Sequence, residues 1–315
     1  MPTKPTGSEP LATPQPRHDT VPDATSPLPM DEALEAEIAA AIDPWLTHMA
    51  WRKDFAQWRD RRIWQEKHQD ANLKDVRAAL GPNANGKRVL DLGTGMGGLA
   101  VALLREYPAD NLRLDAMDYN YDYCRIARLR ARRYGLFLPL VAAAGEQLPY
   151  GSEQYDLVIC LDVLEHVADA PAVLQEIYRV LKSGGMVLTT VPNRHAFRDP
   201  HYHLPLINWL PRAIAERIVE RAGRSKAGGP LHDRQGLSEL NTYAWGQFER
   251  LARSVGFKVR DQVFERIEHG EIRLLTGVRR TVLAGLARTT LLRLLYEIYR
   301  YGWQGTFQIA MVKPR

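Results

Sequence analysis

Two rhythms of apolar and polar positions alternate through the middle of this 315-residue chain. Brief apolar runs recur at Val89–Leu92, Leu112–Met117, Tyr155–Leu161 and Met186–Val191, each too short for a helix and suited to a strand. Between them lie stretches with helical spacing: one opening at Gly98, one from Tyr121 to Gly135, and one from Ala170 to Lys182. A further apolar run, Phe137 to Ala144, follows the second of these. Strand and helix alternate with short links, and that order predicts an α/β fold with a parallel sheet and helices on both faces.

The flanks read differently. Residues 1–30 hold eight prolines and no apolar core of the signal-peptide kind, so they are expected to form a disordered tail. Residues 31–80 read as a helical extension, with Trp51, Phe55 and Trp58 spaced as one packed helix face. Residues 81–315 then form the main domain, interrupted twice. The insertion 193–241 lies between the fifth strand and a helix predicted at Thr242–Val255, and is far longer than an ordinary link. A second insertion, 265–304, separates a sixth strand from a final strand at Thr306–Val312. Open α/β sheets hold ligands at the carboxyl ends of their strands, so both insertions are expected to form a helical lid over a substrate.

Composition narrows the class. Hydrophobic residues make up 45% and charged residues 25%, as in a soluble globular protein. The two cysteines, Cys124 and Cys160, suit a reducing compartment, and a cytoplasmic location is expected. The net charge of +5 is mild, and Arg125, Arg128, Arg130, Arg132 and Arg133 are expected to line a solvated helix face rather than a nucleic-acid patch. The stretch Arg279–Tyr301 is amphipathic and basic; it reads first as a helix packed on the lid, with peripheral membrane contact as the other reading.

Candidate chemistry begins at the end of the first strand. Asp91 precedes a loop containing Gly93, Thr94, Gly95 and Gly97, where missing Cβ atoms allow a sharp turn and a close ligand approach. Gly93-x-Gly95-x-x-Gly98 also fits the dinucleotide fingerprint, which would make the chain an NAD(P)-dependent oxidoreductase. A carboxylate beside that loop would repel a pyrophosphate but suits the ammonium and sulfonium of S-adenosylmethionine (SAM). Asp118, about twenty residues on and at a strand end, is placed to accept ribose hydroxyls.

With these pieces in order, the chain resembles class I SAM-dependent methyltransferases, in the type typified by ubiquinone-biosynthesis O-methyltransferases. The resemblance rests on LDLGTGMGG, Asp118, EQLPY followed by YDLVICLDVLEHV, RVLKSGGMVLTTVPN and GFKV, and covers roughly residues 85–195 and 240–265. It implies a Rossmann-like, seven-stranded, mostly parallel sheet. It also implies SAM contacts from Asp91, Gly93, Thr94, Gly95, Gly97, Asp118, Tyr119, Gly145, Glu146 and Leu161. The family's usual acid on the adenine side is replaced here by Ala144, so Gly145, Glu146 or apolar sandwiching would hold the adenine instead. The motifs of nucleic-acid base methyltransferases are missing: Leu161-Asp-Val-Leu stands where an Asn/Asp-Pro-Pro run would, and Cys160 follows Ile159 rather than a proline. A nucleic-acid substrate is therefore not expected.

A hydroxyl acceptor needs a base or a Lewis acid, because its neutral oxygen is a poor nucleophile. Asp162, Glu165 and His166 would share one face if helical, and resemble the run that holds a divalent metal in the ubiquinone-type enzymes, giving a Mg or Zn site with Asn193 as a further ligand. Alternatively the lid supplies a histidine base. His201 and His203 would point the same way in an extended loop, with Tyr202 opposite, and His201 is favoured because it follows the turn-forming Asp199-Pro200 pair. His166 belongs to both readings. The acceptor expected is a small molecule or a glycan methylated on oxygen, with N- or C-methylation the alternative.

Overall fold

The computed structural model describes residues 31–107, 111–225, 236–271 and 290–315. The proline-rich tail and residues 279–289 of the basic stretch lie outside the described residues.

Seven strands form one sheet in the order β3-β2-β1-β4-β5-β7-β6. They are β1 (Lys87–Leu92), β2 (Leu112–Asp118), β3 (Leu140–Ala142), β4 (Tyr155–Cys160), β5 (Leu181–Pro192), β6 (Lys258–Asp261) and β7 (Thr306–Val312). The first five pair in parallel, and only β7 runs antiparallel to its neighbours β5 and β6. The near-continuous apolar runs have a simple cause: both faces are covered, as parallel sheets require. Val89, Leu114, Leu157, Ile159 and Leu188 pack towards α3 (Asp70–Leu80), α4 (Gly98–Glu106) and α5 (Tyr121–Arg132). Their neighbours Leu90, Leu92, Val158, Cys160 and Val187 pack on the opposite side towards α6 (Ala170–Val180) and α8 (Trp245–Val255). The strand order reverses direction between β1 and β4, which opens a crevice at their carboxyl ends.

The helical extension is present as α1 (Glu32–Leu46), α2 (Phe55–Ile63) and α3. The expected single stripe is divided, however. Phe55 and Trp58 pack on the α1–α5 cluster, whereas Trp51 lies in the turn before α2, with its ring 6.3 Å from that of His203 in the lid.

The expectation of a solvated arginine face on α5 is also corrected. Arg125, Arg128 and Arg132 are exposed, but Arg130 and Arg133 are buried. Arg130 donates to the carbonyls of Met96 (2.9 Å), Ile63 (2.7 Å) and Arg62 (3.0 Å) and to the Glu66 carboxylate. Arg133 reaches Glu66 at 2.7 Å and Glu35 at 2.6 Å, and the Tyr134 hydroxyl donates to Glu66 at 2.9 Å. The spacing placed these arginines on a helix, but periodicity does not reveal that α1 and the segment after α2 cover part of it. Met96 sits in the glycine loop, so one buried guanidinium ties the N-terminal helices to that loop.

The first insertion folds into a small subdomain with its own core of Tyr202, Ile207, Ala215, Val219, Leu237 and Leu240. It includes α7 (Arg212–Arg221). The second contributes α9 (Gln262–Glu268) and α10 (Thr290–Gly302), which pack together through Val263, Ile267, Leu292 and Tyr296. Asn193 joins the two insertions. Its amide donates to the carbonyls of Arg300 (2.9 Å) and Gln304 (2.8 Å), and its oxygen accepts from the His195 N–H. That amide is committed to the backbone and is not placed as a metal ligand. No described helix is long and apolar enough to cross a membrane.

Candidate functional site

The crevice is built from the carboxyl ends of β1, β2, β4 and β5. Gly93, Gly95 and Gly97 all have positive φ, a conformation that side chains other than glycine rarely tolerate. Gly93 and Gly97 are further constrained by packing: a Cβ at Gly93 would lie 2.2 Å from Val163, and one at Gly97 would lie 2.6 Å from Ala127. At Gly95 a Cβ would meet nothing within 4 Å, because this residue faces open space. The loop therefore bends over the strand ends and leaves room above its middle.

Two carboxylates border that space. Asp118 accepts the N–H of Gly95 at 2.7 Å and that of Asn120 at 2.8 Å, which fixes the loop. Asp91 is buried at the end of β1, and its carboxylate accepts the Thr94 hydroxyl at 2.7 Å. Burial, with a smaller push from Asp118, raises the Asp91 carboxyl to about 6. Such a group gains most from a cation placed beside it. These features fit SAM, whose methionine ammonium would neutralise Asp91 and whose ribose hydroxyls would donate to Asp118.

The remaining cofactor candidates divide. Tyr119 is exposed next to Asp118, and Leu161 is partly buried against the sheet core beneath the crevice. Gly145 lies against Val173 and Leu92. Glu146 is a brace for the loop before α6, where its carboxylate accepts the N–H groups of Ala168 (3.1 Å) and Asp169 (3.4 Å).

The metal reading is not supported by the placement of its residues. Asp162, Glu165 and His166 are not helical, because Asp169 caps α6 by accepting from the Ala172 N–H and Pro171 follows in the first turn, so the helix starts at Ala170. Asp162 has a left-handed φ of 56°, and its carboxylate accepts the Thr190 hydroxyl at 2.8 Å. Among the described residues no group of three His, Cys, Asp or Glu side chains could hold a metal ion.

Glu165 and His166 instead meet the lid. His201 Nε2 lies 4.0 Å from Glu165 Oε1, a carboxylate that is almost completely buried, and the His166 and His201 rings are 6.0 Å apart. Asn241, at the exit of the insertion, clamps the same turn, donating its backbone N–H to the Glu165 carbonyl and its side chain to Val167. The lid histidines do not point the same way. Asp199 accepts the N–H groups of His201 and Tyr202 at 2.9 and 2.7 Å, and His203 adopts a left-handed φ of 53°. The segment is a tight turn rather than an extended strand, so His201 meets Glu165, Tyr202 enters the lid core and His203 meets Trp51.

One residue at the crevice was not legible as a candidate. Arg62, from α2, is half-buried within electrostatic reach of Asp162 and Tyr123, and burial lowers its affinity for a proton. Among the described residues its Nε has no hydrogen-bond partner. Only the packing of the N-terminal helices over the glycine loop brings it there.

Residues 90–189 match the family described as Methyltransferase domain. A ubiquinone biosynthesis O-methyltransferase of Dinoroseobacter shibae is 30% identical over 222 residues, covering 63% of this chain and 82% of that protein. One from Ruegeria sp. is 31% identical over 137 residues, covering 42% of this chain and 53% of the relative. Against the first of its curated relatives the chain thus spans about half of their length. A phosphoethanolamine N-methyltransferase from Haemonchus contortus, solved with SAM, is similar at 21% identity and a TM-score of 0.47, covering 78% of this chain and 53% of that one. The strand order, the glycine loop between two carboxylates and the extent of the match to the Dinoroseobacter protein lead to one conclusion: the chain belongs to the class I SAM-dependent methyltransferases.

Proposed function

We propose that the protein transfers the methyl group of SAM to a hydroxyl of a small molecule or of a glycan, with His201 as the proton acceptor. The observation that carries this reading is the meeting of His201 with buried Glu165 at the carboxyl end of β4, beside the crevice. An imidazole backed by a carboxylate is the usual arrangement for taking a proton from oxygen near neutral pH. SAM, when bound, supplies an already activated methyl group, so what remains for the protein is alignment, exclusion of water and proton removal. Asp91 and Asp118 orient the donor. Trp51 meets the lid at His203. As the acceptor oxygen attacks the methyl carbon and the carbon–sulfur bond breaks, its proton passes to the imidazole.

The family assignment sets aside the dinucleotide oxidoreductase suggested by the glycine spacing. Transfer to nitrogen or carbon is disfavoured by the pairing of the lid histidine with a carboxylate, since an amine lone pair or a carbanion needs less help from a base. Incubating extract fractions with SAM carrying a deuterated methyl group should give a product heavier by one labelled methyl. Fragmentation should place that label on oxygen; a label on nitrogen or carbon would overturn the reading.

The donor half of the site has its own test. Asp118→Ala should weaken SAM binding by about 1.5–3 kcal/mol, the scale of losing hydrogen bonds to a charged group. Because Asp91 titrates near 6, SAM affinity should fall as pH drops through that value and the carboxylate becomes neutral. The unliganded protein should respond oppositely. A raised carboxyl means that the folded state holds the proton more tightly than the unfolded one, so stability rises as pH falls from 7 towards about 4. Calorimetric SAM titrations and melting curves across that range, compared with Asp91→Asn, check both signs.

A further inference from the structure

At the outer edge of the lid two guanidinium groups converge on one carbonyl oxygen. Arg198 Nε and Arg224 Nη1 each donate to the His203 carbonyl at 3.1 Å, and Arg224 also donates to the Tyr202 carbonyl at 2.7 Å. The Arg224 guanidinium lies over the Trp51 indole, 4.3 Å from its centre. Like charges repel, so such a meeting normally includes a carboxylate, yet among the described residues none pairs with Arg198 or Arg224. The nearby acids are committed elsewhere. Asp54 binds Arg52 through both carboxylate oxygens at 2.9 and 2.8 Å, and Asp199 is buried beneath the turn accepting its N–H groups. The turn itself is shaped by His203, whose left-handed backbone presents the shared carbonyl.

We infer that Arg198 and Arg224, with Trp51 as an adjoining wall, bind an oxyanion carried by the methyl acceptor, so that the acceptor is a hydroxy acid bearing a carboxylate or phosphate. The inference rests on the methyltransferase reading above and specifies its substrate. Guanidinium forks match the planar or tetrahedral oxygens of such groups better than ammonium groups do. Burial, followed by the field of Arg198 and Arg52, lowers the affinity of His203 for a proton. The carbonyl that the two arginines share belongs to His203, two positions along the chain from His201 in the same Asp199-closed turn. The parts of the site come from the N-terminal extension and the lid, the regions outside the common fold, where acceptor choice would be expected to reside.

The test is calorimetric titration of inorganic phosphate and of benzoate into the full chain saturated with the demethylated product of SAM. At least one anion should bind, and the tighter of the two tells which acid the site prefers. Arg198→Glu and Arg224→Gln should each weaken that anion by about tenfold or more, the range of a lost charge-assisted hydrogen bond, with SAM affinity unchanged. Arg198 is exposed and makes one backbone hydrogen bond, so Arg198→Glu is informative even if Arg224→Gln fails to fold. Binding of neither anion, or undiminished binding in Arg198→Glu, overturns the proposal while leaving methyl transfer intact. Failure of the methyltransferase reading would show separately, as absence of SAM binding in the wild type.

Discussion

Replacing His201 with alanine should lower turnover by about 10²–10⁴, the usual worth of a positioned general base, and leave SAM affinity unchanged. The split is informative because His201 belongs to the lid insertion, whereas Asp91 and Asp118 lie at the ends of β1 and β2. Glu165→Gln should lower kcat by less and shift the pH profile of kcat, since the carboxylate acts through the imidazole it faces at 4.0 Å. His203→Ala should affect KM more than kcat, because that ring meets Trp51 rather than Glu165. The competing mechanism predicts a different pattern. A metal held by Asp162, Glu165 and His166 would make activity chelator-sensitive and restorable by Mg²⁺ or Zn²⁺, with His201→Ala nearly silent. The expected result is activity that withstands chelator and collapses with His201.

Glu66→Ala should destabilise the fold by about 3–5 kcal/mol, because it leaves two guanidinium groups buried without their shared carboxylate. Arg130 and Glu66 are fully buried and Arg133 nearly so, so little solvent screens the loss. Burial pushes the Glu66 carboxyl up, but Arg130 and Arg133 more than offset this and hold it below the ordinary carboxylate range. Its stabilising contribution is accordingly present at neutral pH and above the unfolded carboxyl range, and is lost as acid protonates it in the folded state. Denaturant midpoints of wild type and Glu66→Ala measure the difference; a loss below about 1 kcal/mol would show that the cluster is not cooperative. SAM affinity should fall as well, since Arg130 holds the Met96 carbonyl of the glycine loop at 2.9 Å.

Local pattern and tertiary contact each decided a distinct part of this protein. Short apolar runs alternating with helical spacing determined the parallel sheet, because burial of both sheet faces leaves a signature in every strand. The glycine loop, Asp91 and Asp118 were legible for a similar reason: a sharp turn at a strand end and an acid at the next strand end are requirements on adjacent residues. Asp162, Glu165 and His166 were expected to share a helix face, but Asp169 and Pro171 delay that helix until Ala170.

The arginines of α5 show the same limit from the other side. Their spacing places them on a helix, but whether a guanidinium meets water or a buried glutamate depends on segments more than sixty residues away. The lid histidines complete the contrast. Sequence alone identified His201 and His203 as a pair, since residue type and the neighbouring Asp199-Pro200 turn are local. Only the folded chain separates them, because the Asp199 carboxylate closes the turn and sends one ring to Glu165 and the other to Trp51. Backbone preference decides short-range geometry. Which charged or aromatic group waits at the end of a side chain is set by elements distant in sequence, and packing alone brings them together.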